Sequence, residues 1–265
     1  MFDKAHRWMA RQGKLIPIVF SVLSTIVWFG AIKVLEWNIS VAFFVSALTT
    51  VVYIMAPFTC ANNFLVKTIK SLDNECDPYP MLLETEEQLT YKKRSDRHRL
   101  VVLMDHCVAL QAVGKTKDAM DFMEQVNVEE CKGLNDTIRF VYYSNLSGYC
   151  YYCDQSEKGN YYYTKAIEIR DRAKKRNFYE MYSRQINALG QLIAYKNCEY
   201  EKAIGMIEAF VAKSKREKVS TAILKAKVLF ALGRIDETKK ELQFVCENGN
   251  KLYAVKEAAE ILAKI

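Results

Sequence analysis

The sequence predicts an all-α protein in which an N-terminal two-helix transmembrane hairpin precedes an α-solenoid of about four helix pairs and a capping helix. Three observations support this. Two long runs near the N-terminus are almost free of charged residues, all four prolines lie within the first 80 of the 265 residues, and the remainder repeats a helix–turn–helix pattern. Because proline breaks helix interiors, the proline-free remainder favours helices.

The two apolar runs cover residues 15–35 and 39–58, and the only charged residue in them is Lys33. A helix rises ~1.5 Å per residue, so roughly 20 apolar residues cross the hydrocarbon layer of a membrane. Each run is therefore predicted to span a membrane, and the short turn between them forces an antiparallel hairpin. A signal peptide is disfavoured because the first run is too long and no small-residue cleavage site precedes the second.

Basic residues predict the orientation of the hairpin. Four of them precede the first run within residues 1–14, and Lys67 and Lys70 follow the second run. Lysine and arginine near span ends favour the cytoplasmic side. The predicted localisation is therefore the cell membrane, with two spans and both the N- and C-termini cytoplasmic. The eight cysteines are then expected to be free thiols.

The predicted organisation has four parts. Residues 1–14 form a basic cytoplasmic N-terminus, residues 15–58 form the hairpin, and residues 59–80 form a linker helix and turn. Pro78 helps to end the linker helix, because proline keeps the preceding residue out of the helical conformation. Residues 81–265 form the helical repeat domain.

The repeat domain shows four segments of the same form from residue 100 onward. Each has a helix, a turn with a small or polar residue, and a second helix with a small residue. The turns are predicted near residues 114, 155, 198 and 233, and a last helix over residues 252–265 closes the array. A single helix pair has two apolar faces and buries only one, so the pairs are expected to stack.

This pattern resembles the tetratricopeptide repeat (TPR) family. The matching residues are small or aromatic at positions where the family's helices approach closely: Gly114, Ala119, Gly148, Tyr151, Ala166, Ala203 and Gly233. The chain lacks the signature tryptophan and the terminal proline, and two of its spacings exceed the roughly 34 residues usual in this family. The resemblance implies a superhelix with a concave groove for a protein or peptide. Together with the hairpin, it looks like membrane-anchored bacterial TPR-like proteins.

Eight of the sixteen tyrosines lie between residues 142 and 163. In the repeat register, one stripe of this segment faces the concave groove, and the next repeat adds amide and guanidinium groups. The asparagine carboxamide can both donate hydrogen bonds to a peptide backbone and accept them from it, and tyrosine gives a large contact area at low entropy cost. The predicted partner-binding residues are Tyr142, Asn145, Tyr149, Tyr152, Arg184, Asn187 and Gln191. Packing between helices is the alternative for the tyrosines.

No catalytic, cofactor-binding or metal-binding residue is predicted, and the chain is not expected to be an enzyme. Cys150 and Cys153 have CxxC spacing, but a structural zinc site needs four ligands and no second ligand pair accompanies them. A thioredoxin-like motif needs a βαβ setting, which is missing here. His106 and Cys107 are adjacent on a helix and point apart. No phosphate loop, dinucleotide turn or HExxH motif occurs.

The formal net charge of +7 is mild for this length. Three basic clusters occur at residues 92–99, 170–176 and 213–218. They suit solvated helix ends or contact with anionic headgroups, and the interspersed acidic residues favour the first interpretation. Neither a nucleic-acid partner nor a small-molecule substrate is expected.

The leading functional hypothesis is a membrane-anchored TPR-like scaffold that binds a protein or peptide partner in its groove. The alternative is a sensory receptor for a short peptide ligand. Only the CxxC spacing suggests an enzyme subunit. A chaperone-tail receptor is disfavoured because apolar residues, Met104 and Val108, stand where its basic carboxylate clamp is expected.

Overall fold

The structure, a computed structural model, describes four stretches of the chain: residues 15–35, 38–91, 95–173 and 175–265. In these stretches the chain forms twelve α-helices and one π-helix and contains no strand, which confirms the all-α prediction. The predicted basic N-terminus at residues 1–14, the hairpin turn at residues 36–37 and the basic residues 92–94 lie outside the described stretches.

The described chain divides into two compact units. The first consists of Met1–Lys67 and Glu86–Ser95, and the second, called the array below, consists of Thr68–Thr85 and Asp96–Ile265. The helices in chain order are α1 (Leu15–Leu35), α2 (Ile39–Lys70), the π-helix (Ser71–Glu75), α3 (Tyr79–Leu89), α4 (Asp96–Ala112), α5 (Thr116–Glu124), α6 (Asp136–Tyr152), α7 (Ser156–Asp171), α8 (Arg176–Lys196), α9 (Tyr200–Glu208), α10 (Lys215–Ala231), α11 (Ile235–Asn248) and α12 (Tyr253–Leu262).

Hydroxyl groups join α1 to α2 in the first unit. Ser21 Oγ donates to Thr50 Oγ1 at 2.9 Å, and Ser46 Oγ donates to Thr25 Oγ1 at 2.9 Å. Ala42 is fully buried, which allows close approach of the helices. Large apolar side chains elsewhere on these helices are exposed. The contact between the two helices is therefore partly polar.

The predicted transmembrane hairpin is wrong. In the described part of the chain, no helix combines the length and the apolar character needed to cross a membrane. The prediction relied on the length of the two apolar runs, whereas their serine and threonine residues form a hydrogen-bonded seam within the pair. The two spans at residues 15–35 and 39–58 are therefore withdrawn. The localisation in the cell membrane with cytoplasmic termini, and the bilayer contact, are withdrawn with them.

Successive helices pair within the array. The pairs are α4 with α5, α6 with α7, α8 with α9 and α10 with α11, and α12 packs on the last pair. The first helix of the second pair, α6, also packs on α4 and α8. Contacts therefore run mainly between neighbours in sequence, as in a helical repeat.

The turns inside the four pairs share one backbone conformation. Their left-handed residues are Gly114, Asp154, Cys198 and Gly233, with φ of 86°, 58°, 59° and 74°. In each turn the next residue donates its N–H to a carbonyl five residues earlier, at 2.8–2.9 Å, as Lys115 does to Leu110. This bond satisfies a carbonyl that the helix end leaves free. The four predicted turn positions are confirmed to within one residue.

A buried small residue follows each turn by five positions. These residues are Ala119, Gly159, Ala203 and Thr238. In the second pair, the sequence comparison used Ala166 instead, which is also buried, two turns further along α7. Gly159 takes the position because the ring of Tyr151 lies against it, so that a Cβ there would meet the ring at 2.7 Å.

The array closes on itself. The ring of Tyr253, at the start of α12, packs against Gly114 in the first turn, where a Cβ would lie 2.4 Å from the ring. The segment before α3 makes a second contact with the C-terminal pairs. Arg216 Nε lies 2.7 Å from Asp73 Oδ1, and Lys251 Nζ lies 2.6 Å from Asp77 Oδ2. The first and last parts of the array are therefore held together.

Substituting alanine at two glycines tests the closure. Both Gly114 and Gly233 have positive φ, which costs an alanine about 1–2 kcal/mol. Only Gly114 has a neighbour where the methyl group would go; Gly233 has none within 4 Å. We expect Gly114→Ala to lower the free energy of unfolding by about 2 kcal/mol more than Gly233→Ala does, because of overpacking. Urea denaturation of the full chain measures this, and equal losses would contradict the Tyr253 contact.

Candidate functional site

Three adjoining cavities lie along the first helices of the pairs and α12. We name each by a residue that lines it and neither of the others: the Arg184 cavity of 770 Å³, the Tyr149 cavity of 250 Å³ and the Lys227 cavity of 510 Å³. Gln111, near the end of α4, lines all three. The three cavities together are called the groove below.

Five of the seven predicted binding residues line the groove. They are Asn145, Tyr149, Tyr152, Arg184 and Gln191. Tyr142 instead is buried, and its single O–H donates one hydrogen bond shared between the carbonyls of Met123 and Val126, at 2.9 and 3.0 Å. Asn187 is exposed and lines none of the three cavities. Tyr142 therefore has the packing role that was the alternative for the tyrosines.

The groove face of α8 is broader than the sequence interpretation and omits one predicted residue, Asn187. Arg184 and Gln191 line the groove as spacing predicted. Gln185, Ala188 and Leu192, which were not predicted, line the Tyr149 cavity as well. Gln185 was missed because irregular repeat lengths leave the rotation of a helix undetermined. Gln111 was missed too, although it stands three residues before the left-handed Gly114. That spacing places it on the last turn of α4.

Tyr149 and Ser144 line the Tyr149 cavity with hydroxyls that have no hydrogen-bond partner in the described chain. Tyr149 is only 2% exposed. Burial raises the pKa of Tyr149 well above its ordinary value, so the hydroxyl stays protonated. Buried polar groups are normally hydrogen-bonded, and leaving one unpaired costs free energy.

Arg184 is held in place at one wall of the groove. Its two Nη atoms lie 2.8 and 2.7 Å from the carboxylate oxygens of Glu217, and one of them also donates to the carbonyl of Val211 at 3.0 Å. Its guanidinium carbon lies 4.6 Å from the centroid of the Phe210 ring. Burial alone would raise the pKa of Glu217, but the bonds from Arg184 outweigh it and hold this pKa below its usual range. Arg184 therefore shapes the wall and joins α8 to α10.

The Lys227 cavity has an ion pair in its wall. Lys227 Nζ on α10 lies 2.7 Å from Glu257 Oε1 on α12, and both side chains are half-buried. Tyr152 and Tyr195 line the same cavity. Tyr152 is 42% exposed, and a tyrosine hydroxyl ordinarily has a pKa of about 10. Its hydroxyl is therefore a neutral donor at physiological pH.

The CxxC cysteines are in an unreactive setting. Cys150 is fully buried, and burial raises the pKa of its thiol to about 11. Burial also raises the pKa of Cys153. Reactivity and metal binding need the thiolate, so both thiols are poor nucleophiles at neutral pH. Within the described stretches, no three His, Cys, Asp or Glu side chains lie close enough together to hold a metal ion.

Comparison with protein-family models, curated proteins and solved structures gives no match to this chain. The resemblance to the TPR family therefore stays a prediction from the sequence. The site is described by its own geometry alone.

A half-buried carboxyl on α4 makes stability depend on pH. Burial raises the pKa of Asp105 to about 6, against roughly 3.9 in an unfolded chain. The folded state prefers the protonated form, so its stabilisation is present below pH 4 and is lost as the pH rises through 6. We expect Asp105→Asn to raise the free energy of unfolding by about 2 kcal/mol at pH 8 relative to its effect at pH 4. Denaturation at both pH values measures this, and the exposed Asp118→Asn should show no such gain.

Two tyrosine-to-phenylalanine variants separate packing from groove residues. Tyr142→Phe removes the hydrogen bond that the hydroxyl shares between two backbone carbonyls and should cost about 1 kcal/mol of stability. Tyr149→Phe removes a hydroxyl without a partner, so stability should be unchanged or higher. Urea denaturation of both variants measures the difference. A loss from Tyr149→Phe as large as that from Tyr142→Phe would mean that the Tyr149 hydroxyl is bonded after all.

Proposed function

We propose that the array is a TPR-like interaction scaffold that binds an extended peptide segment of a protein partner in the groove. The observation that supports this most is the position of Gln111, which lines all three cavities and so joins them along one surface. An extended segment needs such an elongated site. A compact small molecule does not.

The side chains along the groove match the needs of a peptide backbone. Gln111, Asn145 and Gln185 line both the Arg184 and the Tyr149 cavities. A carboxamide both donates and accepts hydrogen bonds, as each peptide unit does. The apolar side chains of Leu192 and Leu224 line the neighbouring wall, where alternate side chains of a bound segment would pack.

The closure of the array favours a second candidate, a sensory receptor for a short peptide. Tyr253 both contacts Gly114 and lines the Lys227 cavity. A ligand in that cavity would therefore touch the contact that joins the two ends of the array. Binding to the closed form alone would stabilise it.

Selection of peptides tests the scaffold proposal. A random heptapeptide display library is selected against the immobilised full-length protein, and the recovered peptides are synthesised. We expect Asn145→Leu and Gln185→Leu to weaken their binding about tenfold or more, because each loses hydrogen bonds to the backbone. Asn187→Leu is the matched control, since Asn187 lies outside the cavities and should leave affinity unchanged.

Equal affinities for the Asn145→Leu and Asn187→Leu variants would mean that the peptides bind elsewhere. Hydrogen exchange then separates the two candidates. A receptor should show slower exchange in α12 and in the first turn when peptide is bound, whereas a scaffold that holds the peptide at Asn145 and Gln185 should show protection mainly along α6 and α8.

A further inference from the structure

A short segment before α3, residues 71–77, docks on the C-terminal pairs of the array. Its Leu72 and Cys76 are buried in the same apolar core as Val219 of α10. Its backbone is bonded there as well, because the carbonyl of Cys76 accepts the N–H of Lys251 at 3.2 Å. Contacts other than its carboxylates therefore hold this segment in place.

Asp73 connects the segment to the groove. Its Oδ1 accepts a hydrogen bond from Nε of Arg216 at 2.7 Å, although the two residues are 143 positions apart in the chain. Arg216 lines both the Arg184 cavity and the Lys227 cavity, whereas Asp73 lines none of the three cavities. The other described residues that line both of these cavities, Val108 and Gln111, are uncharged. Arg216 is thus a cation at the junction of two cavities, and it is held from outside the groove.

Arg216 uses fewer of its hydrogen-bond donors than Arg184 does. Both Nη atoms of Arg184 are bonded to the carboxylate of Glu217. A guanidinium has five N–H donors, and the bond from Arg216 to Asp73 uses the one at Nε. Within the described stretches, Arg216 has no other hydrogen-bond or ion-pair partner, and its side chain is 33% exposed. The N–H groups on its two Nη atoms are therefore available to a ligand.

We propose that Asp73 is a positioning residue of the groove, which holds Arg216 so that its Nη atoms donate hydrogen bonds to an oxygen acceptor of the bound peptide. This role rests on the proposed function, since it requires a peptide in the groove. A free arginine side chain has many rotamers, and restricting them when a ligand binds reduces the affinity. The bond to Asp73 restricts them before the peptide arrives, so Asp73 raises the affinity without touching the peptide.

The test uses peptides recovered by the display selection, titrated by calorimetry against the full-length protein and its variants. Arg216→Met removes the donors and should weaken binding about tenfold. Asp73→Ala keeps the donors but leaves the arginine side chain free to change rotamer. It should weaken binding about fivefold.

The double variant separates positioning from a general effect on the fold. Because Asp73 acts through Arg216, Asp73→Ala should cause no further loss of affinity once Arg216→Met is present. A structural role of Asp73 that does not involve Arg216 would weaken binding by the same factor in both backgrounds, and that result would overturn the proposal.

Asp77→Ala is the matched control on the same segment. Asp77 Oδ2 lies 2.6 Å from Lys251 Nζ, and neither residue lines a cavity of the groove. Asp77 also accepts the backbone N–H of Tyr79 at 3.2 Å. Asp77→Ala should therefore lower the free energy of unfolding at least as much as Asp73→Ala does, while its peptide affinity stays unchanged.

The outcomes distinguish this proposal from the proposed function. Equal affinities of the Asp73→Ala variant and the unmodified protein, or equal losses from Asp73→Ala and Asp77→Ala, would overturn the positioning role. Peptides whose binding depends on Asn145 but not on Arg216 would overturn that role and leave the proposed function intact. Recovery of no peptide, or of peptides that depend on neither Asn145 nor Arg216, would overturn both.

Discussion

The contact of Tyr253 with Gly114 is the constraint on which the array depends. A helical repeat whose pairs touch only their neighbours has two free ends and an open inner surface. Here the aromatic ring of the last helix occupies the space that a side chain at the first turn would need. Glycine at that turn therefore has two roles. It permits the left-handed backbone that ends α4, and it leaves room for the far end of the chain.

The closure also determines which residues line the Lys227 cavity. Tyr253 and Leu252 belong to the last helix and the residue before it, yet they share the Lys227 cavity with Val108 and Gln111 of the first repeat. The cavity is thus assembled from parts of the chain more than 130 residues apart. The Arg184–Glu217 ion pair plays a similar part at the other wall by joining α8 to α10.

Local chemistry made the turns predictable from the sequence, whereas long-range packing made the site only partly predictable. Glycine is the residue most often found in the left-handed conformation that ends a helix, so the identity of Gly114 and Gly233 alone predicts two of the turns. The role of Gly159 depends on the ring of Tyr151, which no local pattern reveals. On α8 spacing predicted Arg184 and Gln191 correctly but not Asn187 or Gln185, because each irregular repeat adds an unknown rotation. The hairpin prediction used only the length of the apolar runs. It did not take account of the hydroxyl groups that pair between the two helices, such as Ser21 with Thr50.

The closed array would affect the rate at which a ligand of the Lys227 cavity enters and leaves. Tyr253 lines the Lys227 cavity and also makes the contact with Gly114 that joins the two ends of the array. A ligand too large for the remaining openings could enter or leave only when this contact breaks. Exchange is then limited by an opening motion of the protein rather than by diffusion. Mutations that loosen the joint would shorten the residence time of such a ligand even where they touch none of its atoms. Two further ion pairs, Arg216 with Asp73 and Lys251 with Asp77, hold the same parts of the array together and would oppose the same opening.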